Sequence, residues 1–552
     1  MKKRMVALML GLVMLASSIT GCSNSENVGK VEESSSGKEE TKSSVVAQVT
    51  ETTSNSDDAE IAAEHFAGTE LTIAVFRRST DTTESFNEKL IFKMAEEATG
   101  IHVNWIELDQ AVASERVNVM LADKEQPDIY LGVLSDSLLM ANASMFYDLS
   151  EEGLLETYAP HVLEIYDEIK ADGADVLKML EQPDGSIRSL ATNSAVSPTS
   201  DAVGIPVINQ AWLDKVGKPI PTTADELYDV LCAFRDTDMN GNGIKDEIPL
   251  SFCNSNNYAN VYQYLNSFGI ASGQKVNHLN PFLMLKNGEV TPTVDTEEWR
   301  AYLEFMHKLI SEGLVDKEGF SQTTEQFNAK LAENKVGVYT CWTPVTGDGL
   351  DFVAMRPVQA LEGVEPVLHG NDGFFFGWLG GFAITKDSEN VEAALHWWDY
   401  LHSSAEIMNT AYCGEKDVVW FEREDGSYYD DTSTDVAKAN YNFNALYTGA
   451  CPLRPYRVFT GKQGERFEMV NEMRDLLVDY KDDIQVGFVD PLAQEELTFI
   501  QNDLLSYIKN YSAEAMMNGV TDASWKEFVD GLKDYQYYEW IDWYQRYVDG
   551  EF

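Results

Sequence analysis

The stretch LTIAVFRRSTDTTESFNEKLIFKMAEEATGIHVNWIE, residues 71–107, decides the fold class of this chain. It opens with a run of apolar and β-branched residues over 71–76, which predicts a strand. Apolar residues then recur at helical spacing over 86–98 and stop at Gly100, a residue type that commonly ends helices. Residues 102–107 again have the composition of a strand. The stretch therefore predicts a strand–helix–strand unit.

The same alternation continues downstream. Residues 112–122 predict a second helix, and residues 128–132 predict a third strand. Strands that alternate with helices of this length indicate an α/β fold with a parallel sheet. Because ligands of such sheets bind at the carboxyl ends of the strands, we expect ligand contacts near 76–78 and 132–137.

The amino terminus has the features of a bacterial lipoprotein export signal. Three basic residues at 2–4 precede an apolar run over 5–16, and the sequence ITGC at 19–22 has the branched–small–small–cysteine order of a lipobox. We therefore predict a signal peptide over 1–21 and a lipid on the sulfur of Cys22, which would anchor the chain outside the cytoplasmic membrane. The alternative is an ordinary secretory signal with an incidental cysteine.

Residues 22–64 have the composition of a tether. They are rich in Ser, Glu, Thr, Asn and Lys and contain no aromatic residue. Such a segment buries too little apolar surface to offset the entropy of ordering, so we predict that it is disordered. A lipid on a flexible arm would hold the remaining body near the membrane and leave it free to move.

Composition limits what the body does. The 552 residues include 41 Lys and Arg against 91 Asp and Glu, which gives a net charge of −50. This charge argues against binding nucleic acid or anionic lipid through a basic face. The body is long enough for more than one domain, and it has no second apolar run of membrane-spanning length.

Apart from Cys22, the cysteines do not form a recognisable framework. They stand at 232, 253, 341, 413 and 451, with no Cys-x-x-Cys pair. The wide spacing and the odd number argue against a zinc ribbon, a thioredoxin-like motif or a disulfide scaffold. We predict that most of them are buried as small apolar side chains.

The middle of the chain contains a second set of elements. Residues 204–209 predict a strand, and residues 211–216 a short helix closed by Gly217. Thr223, with Glu226 three residues later, predicts a capping box at the start of the next helix.

An acidic, glycine-rich run follows that helix: DTDMNGNGIKDE, residues 236–247. Oxygen ligands at alternate positions, with Gly where the backbone turns sharply, are typical of a calcium loop. Two frames fit, one starting at Asp236 in the manner of an EF-hand and one starting at Asp238, and we favour the second. The alternative is a hydrated Asn-Gly turn without an ion. The predicted calcium ligands are Asp238, Asn240, Asn242, the carbonyl of Ile244, Asp246 and Glu247.

The stretch around this loop resembles the large, calcium-containing extracellular solute-binding proteins of ABC importers, which include alginate-oligosaccharide binders and Gram-positive sugar-binding lipoproteins. The resemblance rests on NQAWLDKVG at 209–217, PTTADEL at 221–227 and DMNGNGIKDEIP at 238–249, and weaker similarity extends over 68–552. It implies a type II periplasmic-binding-protein fold, in which two α/β lobes joined by a hinge close on a ligand in the cleft between them. It also implies that Ca2+ is structural.

Further expectations concern boundaries and partners. We expect 65–205 to form the first part of lobe 1, 206–345 to lie mainly in lobe 2, and 346–552 to supply returning segments of both lobes and the carboxyl-terminal helices. The resemblance implies an oligosaccharide ligand, the transmembrane subunits of an ABC permease as partners, and a location on the extracellular face of the membrane of a Gram-positive cell. We expect a monomer.

Aromatic and polar residues near predicted strand ends are candidates for contacting a sugar, since sugars stack their C–H faces on rings and need hydrogen bonds for their hydroxyls. Trp105 and Trp420 are further candidates, whereas Trp397 and Trp398 are interpreted as core. For any single aromatic residue, core packing remains the alternative. The candidate ligand residues are Phe76, Arg77, Asp136, Trp342, Asn371, Asp372, Trp378, Tyr412 and Glu415.

Motifs for catalysis are absent from the sequence. It has no HExxH, GxSxG or phosphate-binding loop, so we predict that the protein is not an enzyme. Paired carboxylates for glycoside hydrolysis remain one alternative, because the chain is rich in acidic residues. A surface sensor or peptide-binding protein with the same fold is another.

Overall fold

The computed structural model describes residues 65–109, 112–171, 175–192, 195–196, 201–202, 204–271, 282–345, 347, 350–368, 370–371, 374–375, 378–424, 428–453, 468–478, 484 and 487–551. The predicted signal peptide, Cys22, the predicted tether and Asp372 lie outside the described residues.

The strands, numbered along the chain, are β1 (Glu70–Arg77), β2 (His102–Asp109), β3 (Ile129–Leu131), β4 (Leu190–Thr192), β5 (Ala195–Val196), β6 (Asp201–Ala202), β7 (Ile205–Asn209), β8 (Ile248–Leu250), β9 (Leu283–Lys286), β10 (Glu289–Pro292), β11 (Val336–Cys341), β12 (Phe352–Ala354), β13 (Gly370–Asn371), β14 (Phe374–Phe375), β15 (Trp378–Ile384), β16 (Trp420–Glu422) and β17 (Tyr428–Asp430).

The α-helices are α1 (Leu90–Thr99), α2 (Ala113–Leu121), α3 (Asp136–Ala141), α4 (Leu154–Tyr158), α5 (Pro160–Ala171), α6 (Val176–Leu180), α7 (Gln210–Val216), α8 (Ala224–Asp236), α9 (Glu297–Ser311), α10 (Thr324–Ala332), α11 (Val391–Tyr400), α12 (Ala405–Cys413), α13 (Asp435–Asn444), α14 (Pro491–Asn518), α15 (Asp522–Asp534) and α16 (Tyr537–Val548). Short 3-10 helices include Phe86–Glu88, Val261–Phe268 and Thr448–Ala450.

The first sheet contains the elements predicted from 71–132. Its strand order is β2-β1-β3-β15-β4. Strand β1 is parallel to both β2 and β3, as expected for strand–helix–strand units. Strand β15 returns from much later in the chain and pairs antiparallel with β3 and β4, so the sheet is mixed rather than wholly parallel.

The second sheet has the order β12-β7-β11-β8. Strand β11 runs parallel to β8, and β7 runs antiparallel to β11 and β12. The carboxyl ends of β8 and β11 therefore lie on the same edge of this sheet.

Two short antiparallel pairs accompany the passage between the sheets. Strand β5 pairs with β14, and β6 pairs with β13. The chain leaves the first sheet through β5 and β6, and it returns through β13 and β14. Each sheet has its own hydrophobic core, so the protein has two α/β lobes, as predicted.

Large aromatic side chains fill both cores. Trp397 and Trp398 are 1% and 0% exposed in the first core, as predicted for these two residues. Helix α14 packs onto α9 in the second core, and α16, which carries the buried Trp540 and Trp543, packs against α14 and α15. Burying a side chain of this size stabilises the fold by about 1.5–3 kcal/mol.

Several helix ends follow from local signals in the sequence. Gly100 adopts φ 69° at the end of α1. The predicted capping box is present at α8, where Thr223 Oγ1 accepts a hydrogen bond from Glu226 N at 3.3 Å and Glu226 reaches back to the amide of Thr223. The helix predicted over 86–98 is wrong at its start, because Phe86–Glu88 is a separate 3-10 turn capped by Ser85.

The burial of the cysteines and the hydropathy of the helices were also considered in the sequence. Cys253, Cys341, Cys413 and Cys451 are buried thiols, as predicted, and Cys232 is half-buried. Among the described residues, no helix combines the length and the hydropathy needed to cross a bilayer.

Candidate ligand-binding face and cation loop

The carboxyl edge of the first sheet carries an aromatic pair. Phe76, near the end of β1, meets the ring of Tyr447 edge-to-face with centroids 5.4 Å apart. Thr192 Oγ1, at the end of β4, donates a hydrogen bond to the carbonyl of Gly449 at 2.8 Å. The segment around 447–450 therefore lies across the ends of several strands, a position that no pattern in the sequence predicts.

A close backbone approach holds this segment in place. Gly132 follows β3 with φ 65°, and a Cβ built on it would lie 2.3 Å from the carbonyl carbon of Gly449. Only glycine fits such a position, both for its positive φ and for the space. Residue 132 was predicted to be near the ligand, but its observed role is to seat the segment that carries Tyr447.

Charged groups beside Phe76 form a tight network. Arg77 pairs with Glu107 and donates a hydrogen bond to Thr83 at 3.2 Å. Behind it, Lys89 Nζ lies 2.6 Å from Asp81 Oδ2, and both side chains are almost fully buried. These neighbours thus position Arg77, and part of its guanidinium group is already used in hydrogen bonds with them.

The buried pair also reaches the 441–451 region. Lys89 Nζ donates to the carbonyl of Phe443 at 2.8 Å. Burial lowers the pKa of Lys89, and the hydrogen bond and charge of Asp81 offset part of that effect. Burial acts to raise the pKa of Asp81, but the hydrogen bonds from Lys89 and Thr83 outweigh it and leave that pKa below its ordinary value. The pair therefore ties the loop after β1 to the end of α13.

Asp136, the first residue of α3, lies at the same edge. Its Oδ1 accepts a hydrogen bond from the amide of Gly380 at 3.1 Å. The residue is exposed, yet enough protein surrounds its carboxylate that burial raises its pKa. Asp136 therefore lies at the edge of the sheet where ligand contacts are predicted.

The second sheet carries another aromatic pair at its carboxyl edge. Trp342 directly follows β11, and Tyr258 lies in the polar loop after β8. Their ring centroids are 5.2 Å apart, and both residues are half-buried. The sequence analysis predicted Trp342 but missed Tyr258, although the asparagine-rich loop that follows a strand end was a usable signal.

Other predicted ligand residues have different surroundings. Asn371 lies in β13 opposite Asp201, and Trp378 opens β15 opposite Thr192. Glu415 is exposed, and its carboxylate accepts a hydrogen bond from Asn440 Nδ2 at 3.0 Å. These placements neither join the three residues to one another nor exclude them from a ligand site.

The remaining aromatic candidates pack in the first core. Tyr412 is 8% exposed within α12, and Trp420 is 1% exposed. Trp105 packs against Phe92 with ring centroids 4.3 Å apart. All three side chains contribute to core packing, and their role as ligand residues stays a prediction. The helices beside them have buried apolar faces, and these aromatic rings pack against those faces.

The predicted calcium loop folds as a tight turn between α8 and β8. Asp238 accepts hydrogen bonds from the amides of Gly241 and Gly243 at 2.8 and 2.9 Å. Both glycines have positive φ, 76° and 79°. Asn240 and Asn242 each direct a side-chain amide to Asp246 Oδ1, at 3.3 and 3.0 Å. The predicted ligands thus converge on one another.

The chemistry of this donor set fits a hard cation. Glu247 Oε1 accepts from the amide of Met239 at 2.7 Å, whereas its Oε2 is buried without a hydrogen-bond partner. A buried carboxylate oxygen without a partner is costly unless a cation or a donor satisfies it. Within the described residues, no group of three or more His, Cys, Asp and Glu side chains forms a metal site. A cation here would depend on amide and backbone oxygens as well as carboxylates, which is typical of Ca2+.

A family model for bacterial extracellular solute-binding proteins matches residues 90–414, more than half of the chain. The matched range includes β8 and β11, both residues of the second aromatic pair and the whole of the loop at 238–247. The chain belongs to this family.

Relatives of this solute-binding protein agree with the observed architecture. It is 26% identical over 493 residues to the fructooligosaccharide ABC transporter substrate-binding protein FusA of Streptococcus pneumoniae, a match that covers 84% of this chain and 87% of FusA. An extracellular solute-binding protein from Bifidobacterium longum subsp. infantis has a TM-score of 0.74 at 24% identity, covering 87% of this chain and 98% of that chain.

A third comparison involves a FusA EF-hand mutant from S. pneumoniae in complex with fructo-nystose. It has a TM-score of 0.68 at 23% identity and covers 87% of this chain and 99% of that chain. At this level of identity the structural comparisons establish the fold, and the prediction of a two-lobed solute-binding protein is confirmed.

Proposed function

We propose that this protein is the lipid-anchored binding subunit of an ABC importer and that it captures an oligosaccharide between its two lobes. The observation that carries the proposal is the presence of an aromatic pair at the carboxyl edge of each sheet, Phe76 with Tyr447 and Trp342 with Tyr258. Aromatic faces on two lobes suit a ligand with several sugar rings, since each ring offers an apolar face.

Polar groups beside the first pair supply the complementary chemistry. Arg77 and Glu107 form a fixed ion pair, and Asp136 presents an exposed carboxylate at the same edge of the sheet. Sugar hydroxyls both donate and accept hydrogen bonds, so a preset array of one cation and two carboxylates orients them at little cost in side-chain entropy.

The comparison with FusA supports an oligosaccharide over a monosaccharide. FusA is named for fructooligosaccharide, and the match extends over most of both chains. We extend the ligand class to this protein and propose a neutral oligosaccharide. FusA's designation as an ABC transporter substrate-binding protein supports the permease partnership in the same way.

The proposed mechanism is closure about the crossing strands. The pairs β5 with β14 and β6 with β13 are only two residues long on each strand, so small dihedral changes there can rotate one lobe against the other. A ligand that contacts both aromatic pairs binds the closed state better than the open one and thereby shifts the population towards it. The closed form would then deliver the ligand to the permease.

We further propose that the loop at 238–247 binds Ca2+ in a structural role. The residues that would hold it are Asp238, Asn240, Asn242, the Ile244 carbonyl, Asp246 and Glu247. When bound, Ca2+ supplies positive charge and an oxygen-coordination shell. The loop directly precedes β8, the strand that leads to Tyr258, so a rigid loop would help to fix one side of the second aromatic pair.

A thermal-shift screen tests the proposed ligand class. Purified protein is melted with fructooligosaccharides, other neutral oligosaccharides, monosaccharides and peptides, each with calcium or with a chelator. A ligand at 100 times its dissociation constant stabilises the native state by about 2.7 kcal/mol, which gives a clear shift. We expect a shift with an oligosaccharide. Shifts with peptides alone would replace this proposal with the peptide-binding alternative, and an unchanged melt in chelator would contradict the calcium assignment.

A further inference from the structure

Lys335 places an ammonium group on a predicted calcium ligand. Its Nζ lies 3.2 Å from Asp246 Oδ2 and 2.7 Å from Glu333 Oε2. Asp246 also accepts from Asn242 and Asn240, so its two oxygens are satisfied by donors in the absence of a metal.

The backbone fixes the position of Lys335 on both sides. Its amide donates to the carbonyl of Lys330 at the end of α10 at 3.1 Å, and its carbonyl accepts from the amide of Ile248 at the start of β8 at 2.7 Å. Asn334, just before it, adopts φ 53°, a left-handed turn that ends the helix and directs the chain into β11. The ammonium is thus held beside the loop by the junction of two strands.

A second lysine contacts the other end of the loop. Lys215, on α7, donates to the carbonyls of Asp238 and Met239 at 2.5 and 3.3 Å. Unlike Lys335, it contacts main-chain oxygens and no predicted side-chain ligand. Two lysine ammonium groups from different elements therefore contact the loop. Of the two, it is Lys335 that contacts a carboxylate Ca2+ would need.

We propose that Lys335 is a built-in competitor for the cation at Asp246. In the cation-free protein it neutralises Asp246 and keeps the loop folded. When the cation binds, the ammonium loses its contact with Asp246 and keeps its existing ion pair with Glu333. The consequence is a loop that does not collapse without metal and that binds Ca2+ more weakly than its oxygen ligands alone would allow. This inference rests on the proposed cation site.

The test compares full-length variants that each remove one positive charge near the loop. Lys335→Met removes the competitor. Lys245→Met is the matched control, because Lys245 is an exposed residue of the loop itself and makes no ion pair with Asp238, Asp246 or Glu247 among the described residues. Calcium chloride is titrated calorimetrically into chelator-treated protein, and melting temperatures are measured in chelator.

We expect Lys335→Met to bind Ca2+ about threefold more tightly than the wild type, the scale of one exposed ion pair, and to melt at a lower temperature in chelator. Lys245→Met should show a smaller gain in affinity and no loss of melting temperature. An equal gain in the two variants, or an unchanged melt for Lys335→Met, overturns the inference. If neither the wild type nor Lys335→Met binds Ca2+, the cation site itself fails, and the inference fails with it.

Discussion

Phe76 and Tyr447 meet edge-to-face with ring centroids 5.4 Å apart, although they come from opposite ends of the first lobe's sequence. Their contact brings the segment after α13 over the carboxyl edge of the first sheet. The close approach of Gly132 to Gly449 and the bond from Thr192 to Gly449 keep it there. The surface at the end of β1 is thus built jointly by an early strand and a late loop.

Replacing Tyr447 with alanine should weaken ligand binding. The substitution removes one half of the aromatic pair, and loss of a stacking ring costs about 0.5–1.5 kcal/mol beyond the area it buries, so we expect roughly tenfold weaker binding. Calorimetric titration with the best ligand from the screen provides the measurement. Tyr535→Ala, which removes an exposed aromatic residue beyond α15, is the control and should bind like the wild type. Equal affinities in all three proteins would remove Tyr447 from the site.

Breaking the buried pair of Lys89 with Asp81 should destabilise the protein. Lys89→Met removes the cation from Asp81 Oδ2 and leaves the buried carboxylate with Thr83 and, at 3.6 Å, Arg77 as partners. We expect a cost of up to about 3–5 kcal/mol, which the unfolding free energy in denaturant measures. Adding Asp81→Asn should recover part of it, because the remaining side chain is neutral. Lys178→Met, in an exposed pair with Glu181, should change the free energy by less than about 1 kcal/mol. A loss no larger than this control would show that the buried pair contributes little.

His402 should make the protein sensitive to acid. It is fully buried, Nε2 accepts from the amide of Leu453 at 3.0 Å, and Nδ1 donates to the carbonyl of Trp398 at 2.8 Å, so the neutral ring is required. Burial lowers its pKa to about 4. The unfolded chain takes up a proton near pH 6.5 that the native protein does not, so stability falls as the pH drops from about 6.5 to about 4, by about 1.4 kcal/mol per pH unit.

The measurement for His402 is the unfolding free energy across that pH range. His402→Gln keeps one donor and one acceptor but cannot titrate, so its stability should decline less steeply over the same interval. Parallel curves for the variant and the wild type would show that other groups cause the decline. His161, whose pKa is raised by its bond to Asp399, contributes the opposite slope and is unchanged in both proteins.

Local patterns in the sequence predicted the elements of the first sheet well. Strands β1 and β2 and helix α1 follow directly from apolar spacing and from Gly100. Strand β15 could not be paired from sequence, because its partners in the sheet, β3 and β4, precede it by long stretches of chain and nothing local encodes the antiparallel insertion. Register across such distances is set by tertiary packing.

In the candidate site, too, some residues were predictable from local patterns, and others depend on tertiary packing. Residues at strand ends, such as Phe76, Arg77 and Trp342, were identifiable because topology alone places them at the ligand edge. Tyr447 and Tyr258 were missed, since each lies in a loop whose position depends on contacts with another part of the chain. Tyr412 lies on the buried face of α12, an outcome that an aromatic residue near a glycine does not distinguish from a ligand contact, so its role in binding stays a prediction.

The proposed anchor leads to a prediction of its own. Cys22→Ala should release the protein from cells into the medium, because the sulfur that would carry the lipid is absent. Ligand affinity should stay unchanged, since 1–64 is predicted to contribute only an export signal and a tether. Fractionation of cells and medium, followed by titration of the released protein, provides both readouts. Retention at the membrane would contradict the lipid assignment, and weaker binding would contradict the role of 22–64 as a tether.

The central claim is that this protein binds an oligosaccharide between its lobes without changing it. The most direct measurement is calorimetric titration of purified protein with fructooligosaccharides, followed by chromatography of the recovered sugar. We predict saturable one-to-one binding that Tyr258→Ala and Tyr447→Ala both weaken, with the sugar recovered intact. Absence of binding to any oligosaccharide, or recovery of shortened sugars, would contradict the account.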